Sequence, residues 1–258
     1  NTMGVRMLEF LPQPKVVTPG TGVWQVPGTP TIGVSGGEFF AAAKRARALW
    51  GGGAIGIAAP GTVDALTITR DAALPREGYT LAVTADGVAL AAADAAGAFY
   101  GVQTLQQLAR QAPAGTLPCV TVEDWPDFRD RGLYYDVCRG RVPTLERLLE
   151  LADQLAHYKI NQLQLYVEHT FRWRTHPNIG KNASPLSAED ILTLDECCRA
   201  RHIELVPSLA AFGHLATVLN LPAYRHLAED WGEGRYLDPA AKNAWTRGWS
   251  LAPVLEES

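Results

Sequence analysis

RGLYYDVCRGRVPTLERLLELADQLAHYKINQLQLYVEHTFRW, residues 131–173, is the stretch that decides the fold. It opens with the apolar run Leu133-Tyr134-Tyr135, followed by Asp136-Val137, short and aromatic enough to read as a buried strand. Pro143-Thr144 then start a helix: Thr144 is placed to cap it, and Leu145, Leu148, Leu149, Ala152 and Leu155 share one face at helical spacing. A second strand is expected over residues 160–167, where apolar and polar residues interleave. Strand, helix and strand with short connections make a βαβ unit, hence a parallel pair with a right-handed crossover. Glu168, His169 and Arg172 sit just past the second strand, at the end where such sheets and barrels carry their chemistry.

The pattern continues downstream. Ser187 to Asp190 resembles a capping box, with Asp replacing the usual Glu, and opens a helix carrying Ile191, Leu192, Cys198 and Ala200. Residues 203–207 read as a third strand, with residues 208–214 at its carboxyl end. Three strands alternating with helices imply an α/β layer or barrel. Past Leu219 the chain is polar and loop-like. A closed eight-unit barrel takes about 250 residues and about half that remains after Asp124, so if the layer is a barrel it is an incomplete (β/α)8 barrel of about three βα units.

Upstream, residues 12–118 are rich in Ala, Gly, Val and Thr. Residues 30–34 and 65–69 read as strands. Residues 37–50 read as a helix with Phe39, Phe40 and Ala43 on its apolar side, stopped by Gly51-Gly52-Gly53. GGGAIG lacks a preceding strand and a following Gly-Lys-Ser/Thr, so it reads as a turn and not as a phosphate cradle. GYTLAVTADGVALAAAD is the clearest local signal: Tyr79, Leu81 and Val83 alternate, Asp86-Gly87 form the turn, and Val88 and Leu90 resume the pattern. Asp94 caps a helix to about Arg110 with Phe99, Leu105 and Leu108 facing one way, and residues 120–122 form an exit strand. A small α+β domain over 1–124, with a mainly antiparallel sheet, is expected to precede an α/β part over 125–258.

Composition bounds the function. The 258 residues are 47% hydrophobic and 19% charged with net charge -4, which leaves no electrostatic footprint for nucleic acid or an anionic membrane surface. No apolar run approaches the ~20 residues that cross a bilayer. The first residues lack a charged start followed by a sustained apolar core, so no signal peptide is read; a trimmed secreted protein would look the same, and the compartment stays open with a cytoplasmic setting slightly favoured. Cys119, Cys138, Cys197 and Cys198 lack zinc-ligand spacing and read as reduced, packed thiols; no metal and no cofactor is expected.

Several segments, in order, resemble glycoside hydrolase family 20, the β-N-acetylhexosaminidases. GYTLAVTADGVALAAADAAGAFYGVQTLQQL is similar to the family's accessory domain, and RGLYYDVCRG to its first barrel strand, commonly Arg-Gly-x-x-x-Asp-x-x-Arg. KINQLQLYVEHTFRW resembles the second strand and IELVPSLAAFGH the third, with its Gly-His. The resemblance implies a (β/α)8 barrel that removes terminal N-acetylglucosamine or N-acetylgalactosamine from glycans with retention. In that scheme the substrate's own 2-acetamido oxygen attacks the anomeric carbon, one Asp steadies the acetamido group, and the adjacent Glu protonates the leaving oxygen.

Carried over residue by residue, the resemblance makes Arg131 the arginine that grips sugar hydroxyls and His214 the histidine that supports the general acid. Glu168-His169 stand where many members carry a His-x-Thr-Asp-Asp type sequence; Glu168 is assigned a supporting catalytic role, and His169 and Trp173 substrate contact. Asp136 with Arg139 reads as structural. Asp195-Glu196 has the letters of the acid pair but lies mid-helix, so the pair is expected beyond Ser258 and this chain alone is expected to be inactive. Partners are then an N-acetylhexosamine glycan, no nucleic acid and no membrane, with self-association through the incomplete barrel edge. Two alternatives stay open: another glycosidase sharing the accessory domain, of α-glucuronidase or O-linked N-acetylglucosamine hydrolase type, and a non-catalytic carbohydrate-binding or assembly module.

Overall fold

The computed structural model describes residues 8–57, 65–229 and 249–253. The polar stretch from 230 to 248 and the C-terminal residues 254–258 lie outside them. The protein is a mixed α/β molecule with two compact units. Unit 1 takes residues 1–131 with the short links 154–161 and 200–202; unit 2 takes 132–153, 162–199 and 203–258.

Unit 1 is built on a seven-stranded sheet. Its strands are β1 (Val16–Gln25), β2 (Thr31–Val34), β3 (Ala54–Ile57), β4 (Leu66–Arg70), β5 (Tyr79–Thr84), β6 (Gly87–Ala92) and β7 (Thr116–Asp124), in the order β1-β7-β5-β6-β4-β2-β3. The alternation read from the sequence is the one that folds: Tyr79, Leu81 and Val83 of β5 and Val88, Leu90 and Ala92 of β6 are buried. Thr84 pairs with Gly87, so the two-residue loop is Ala85-Asp86 and Gly87 already belongs to β6. Neither loop residue has positive φ; the Thr84 hydroxyl instead accepts from the Asp86 N–H and donates to the Gly87 carbonyl. The sheet is also less antiparallel than expected. β1-β7, β7-β5 and β5-β6 are antiparallel, whereas β6-β4, β4-β2 and β2-β3 are parallel. GGGAIG is a turn at its glycines, but it runs directly into β3.

Two helices accompany this sheet, α1 (Phe40–Leu49, after a 3-10 turn at Gly37–Phe39) and α2 (Ala95–Arg110). Asp94 caps α2 as its chemistry requires, its Oδ1 accepting the Gly97 N–H at 2.8 Å. Phe99, Leu105 and Leu108 are buried, each worth about 1.5–3 kcal/mol in water-to-core transfer. Gly101 allows the close approach of helix to sheet, since a Cβ there would lie 2.4 Å from Leu90 Cδ1.

Unit 2 contains the βαβ core: β8 (Gly132–Asp136), α3 (Leu145–His157), β9 (Gln162–Val167), α4 (Ala188–Arg199) and β10 (Glu204–Leu209). The last turn of α3 groups with unit 1. The three strands are parallel in the order β10-β9-β8, with Asp136 opposite Tyr166 and Tyr166 opposite Ser208. Caps match the sequence: the Arg147 N–H donates to Thr144 Oγ1, and Ser187 and Asp190 bond reciprocally, N–H to side chain, at 2.8 and 3.1 Å. On α4 the buried pair is Leu194 and Cys198, one turn apart, while Leu192 is 66% exposed. β8 is not the buried strand that its aromatic run suggests, for Tyr134 is 55% exposed. Among the described residues β8 and β10 are the two edges of a three-stranded sheet, with no strand paired on their outer sides. A short helix α5 (Ala216–Leu219) and a 3-10 turn at Arg225–Leu227 follow.

Candidate functional site

Two polar clusters stand out, one in each unit, and residues expected to form the site fall in both. Arg131 belongs to unit 1. Its Nη2 donates to Glu77 Oε2 at 2.8 Å and to the Tyr100 hydroxyl at 3.3 Å. Its Nε donates to the Lys159 carbonyl, and Nη1 to the carbonyls of Phe128 and Arg129. A guanidinium has five N–H groups, and these bonds use them all. Arg131, expected to grip sugar hydroxyls, thus has every N–H group engaged by protein acceptors. Burial, then the charge of Glu77, pushes the Tyr100 hydroxyl up to about 12.

Beside it, Lys159 is a buried lysine whose Nζ donates to Asp124 Oδ2 at 2.7 Å and to the Tyr79 hydroxyl at 2.9 Å. Tyr79 in turn shares a 2.6 Å hydrogen bond with Thr104. Burial holds the lysine below its ordinary pKa against the pull of Asp124, and pushes Tyr79 well above its own. Each charge has a partner, as burial demands. This is fastening.

The cluster with chemistry to offer lies in unit 2, past the carboxyl ends of β8, β9 and β10. An open hollow of about 440 Å³ is lined by Tyr134, Arg139, Tyr166, Phe212, Gly213 and His214, among others, within the ~300–1,000 Å³ range of small-molecule sites. Asp136 starts an Asx-type turn, its Oδ1 accepting the N–H groups of Cys138 (2.8 Å) and Arg139 (3.2 Å). Desolvation raises its carboxyl pKa, but the Cys138 amide and the Arg139 guanidinium outweigh that and hold it low. The turn aims Arg139 back over the mouth. Its Nη1 donates to Asp136 Oδ2 at 2.5 Å, its Nη2 to Glu168 Oε1 at 3.0 Å, and its Cζ stands 5.1 Å from the Tyr166 ring centre. Only two of its five N–H groups serve these carboxylates, and the side chain is 54% exposed.

Glu168 is the hub. The same Oε1 accepts the Tyr166 hydroxyl at 2.7 Å, and desolvation followed by this bond raises the phenol to about 12. The Glu168 N–H donates to Cys138 Sγ at 2.8 Å, and that sulfur also lies 3.3 Å from the Tyr166 carbonyl and 3.2 Å from Thr170 Oγ1. Cys138 thus ties the end of β8 to the end of β9, a role its sequence context did not announce. None of the four cysteines forms a disulfide.

His214 has φ +60°, a left-handed conformation uncommon outside glycine. Its ring is 4.5 Å from that of Trp249 and 6.5 Å, nearly perpendicular, from that of Tyr166. The strap at 249–251 holds it from behind, with Leu215 N–H donating to the Trp249 carbonyl and Leu251 N–H to the Phe212 carbonyl. His169, next to Glu168, has a buried Nδ1 without a hydrogen-bond partner among the described residues; burial holds its pKa below the ordinary value against the Glu168 charge. Gly180 packs on it so closely that a Cβ there would sit 2.0 Å from the His169 carbonyl oxygen.

Trp173 is elsewhere. It stacks edge-on with Phe171 (4.9 Å) and lines a separate, apolar hollow with Leu165, Val167, Ile191 and Leu209. Asp195 pairs with Arg199 one turn along α4, as a solvated helix face does. So His214 lines the hollow with Arg139 and Tyr166, Glu168 bonds to both of those residues and to Cys138, and Arg131 and Trp173 are not among the lining residues. Among the described residues no group of His, Cys, Asp and Glu is arranged to hold a metal ion, and no helix is long and apolar enough to cross a membrane.

Comparison with known proteins agrees with the fold and adds its kinship. Residues 8–125 match the sequence profile of glycosyl hydrolase family 20, domain 2. The N,N'-diacetylchitobiase of Vibrio harveyi is 28% identical over 200 residues, covering 62% of this chain and 22% of that protein. The β-N-acetylhexosaminidase of Cellulomonas fimi is 31% identical over 166 residues, 58% of this chain and 33% of that one. The chain therefore spans about a fifth to a third of the length of these relatives. In fold it resembles the family 20 exo-β-N-acetylglucosaminidase of Vibrio harveyi solved with N-acetylglucosamine (TM-score 0.82, 16% identity, 96% of this chain and 42% of that chain). It also resembles the N-acetyl-β-hexosaminidase of Streptomyces plicatus (TM-score 0.76, 21% identity, 96% of this chain and 53% of that chain). The match to domain 2 over residues 8–125, with relatives named hexosaminidase and chitobiase over more than half of the chain, makes glycosyl hydrolase family 20 the family this chain is similar to.

Proposed function

We propose that this chain contributes part of a retaining β-N-acetylhexosaminidase: the accessory domain over 1–124 and, over 125–258, the first three βα units of a (β/α)8 catalytic barrel. The observation that carries the reading is the convergence of Arg139, Glu168, Tyr166 and His214 past the carboxyl ends of adjacent parallel strands. Arg139 is the sugar-gripping arginine in this reading: it is held by two carboxylates yet keeps N–H groups for hydroxyls of the terminal residue. Glu168 anchors it and fixes the Tyr166 hydroxyl. His214, braced by Trp249, supports the general acid through a hydrogen bond, and His169 completes the wall behind Glu168.

The Asp-Glu pair that steadies the acetamido group and protonates the leaving oxygen is assigned to a following strand outside residues 1–258. The acetamido oxygen bonds to the anomeric carbon as the glycosidic bond breaks toward the acid, and water then opens the oxazolinium with retention. The bare edges of β8 and β10 support a corollary, that this chain alone self-associates through them. The test is hydrolysis of an aryl N-acetyl-β-glucosaminide by residues 1–258 and by a protein extended by about 150 residues toward the full ~250-residue barrel. Activity in the extended protein alone is expected. Hydrolysis by 1–258, or an extended protein that cleaves only other glycosides, contradicts the reading.

A further inference from the structure

Residues 9–11 run beside the C-terminal half of α2, where two glutamine side chains one turn apart hold their main chain. The Leu11 N–H donates to Gln107 Oε1 at 2.9 Å, and the Leu11 carbonyl accepts from Gln107 Nε2 at 2.8 Å. Glu9 repeats the arrangement with Gln111, its N–H donating to Oε1 at 2.8 Å and its carbonyl accepting from Nε2 at 2.5 Å. Each carboxamide thus makes the donor-and-acceptor pair that a neighbouring strand would make.

Geometry explains the fit. Four residues of α-helix advance about 6 Å, and two residues of extended chain about 6.6–6.8 Å, so side chains at i and i+4 of the helix meet alternate residues of the peptide. The residue between, Phe10, is 8% exposed, whereas Leu11 is 63% exposed. Recognition is therefore of main chain at two positions and of an aromatic side chain at the one between. Gln107 Nε2 also donates to the His157 carbonyl at 3.3 Å, which links occupancy of this ledge to the last turn of α3.

We propose that Gln107 and Gln111 form a docking ledge for an extended peptide with a central aromatic residue, filled intramolecularly by residues 9–11 and able to take the same segment in trans once that strap is loosened. The partner chemistry is an aromatic-centred extended segment, the prototype being this chain's own residues 8–13. An attached strap has an effective concentration in the millimolar range, so a free peptide competes only after the strap is weakened.

Two measurements on the full chain test this. In hydrogen exchange, Gln111→Ala should speed exchange of the Glu9 amide and Gln107→Ala that of the Leu11 amide, each about fivefold or more. The Leu81 and Leu90 amides of the central hairpin should not change, which separates loss of the clamp from loss of the fold. In titration, a Phe10→Ala chain should bind a peptide of residues 8–13. The peptide with alanine in place of its phenylalanine should bind about tenfold more weakly, and adding Gln107→Ala with Gln111→Ala to the Phe10→Ala chain should abolish binding. The proposal is overturned if the Glu9 and Leu11 amides exchange alike with and without the glutamines. It is equally overturned if the Phe10→Ala chain ignores the peptide or binds it as well without the ledge.

Discussion

Replacing Arg131 by alanine strips the Glu77 carboxylate of its 2.8 Å partner and leaves only Arg76, 3.4 Å away on a largely exposed side chain. The Glu77 side chain is 6% exposed and that of Arg131 17%, so the pair is buried and its loss is not screened by water. Breaking such a pair from one side costs about 3–5 kcal/mol, and the residual help from Arg76 places this case near the low end, about 3 kcal/mol. Glu77→Gln with Arg131→Met removes both charges at once and should cost less than the two single changes together, with a coupling above about 1 kcal/mol. Urea unfolding followed by tryptophan fluorescence measures each value. The same assay on Arg139→Ala should show a midpoint close to the parent's, because that side chain is mostly solvated. An Arg131→Ala loss below about 1 kcal/mol, or strict additivity of the pair, refutes the assignment of Arg131 to fastening.

Two further outcomes follow from the packing. Gly97→Ala would put a Cβ 2.4 Å from the Gly78 carbonyl oxygen and 3.1 Å from the Glu77 backbone, so it should destabilise unit 1 by about 1–3 kcal/mol in thermal unfolding. His157, His169 and His202 are each held below the usual histidine pKa by desolvation. The unfolded chain then binds more protons as pH falls, so stability is complete above about pH 6.5 and declines below it. A flat stability profile between pH 7 and 5 contradicts this, and His202→Gln should make the measured profile shallower.

Local signals in the sequence located most elements, because alternation, caps and turn residues act over a few neighbours. Asp94 and Ser187-Asp190 cap where their side chains can reach orphan N–H groups, and the β5–β6 alternation is the one buried. What local reading missed depended on distant partners. The parallel half of the large sheet joins strands with no shared turn, and β3 follows glycines whose pattern suggested only a stop. Tyr134 is exposed where it lines the open hollow beside Tyr166, a placement that the apolar run of β8 does not signal.

The site divided the same way. Glu168 and His214 lie just past strand ends; His214 lines the hollow, and Glu168 reaches its lining through Arg139 and Tyr166. Arg131 and Arg139 flank the same strand, and only the partners decide between them. Glu77, 54 positions upstream, occupies the first, while the turn started by Asp136 delivers the second to the mouth. The Asp-x-x-Arg spacing of Asp136 and Arg139 was the available signal, since an Asx turn followed by an arginine places the guanidinium back over the carboxylate.

The most direct measurement is a titration of the isotopically labelled chain with N-acetylglucosamine, following arginine guanidinium and histidine ring resonances by NMR. Movement of the Arg139 and His214 signals together, an unmoved Arg131 signal, and loss of the response in Arg139→Ala are predicted. A response at Arg131 with Arg139 silent, or binding unchanged in Arg139→Ala, would contradict the account.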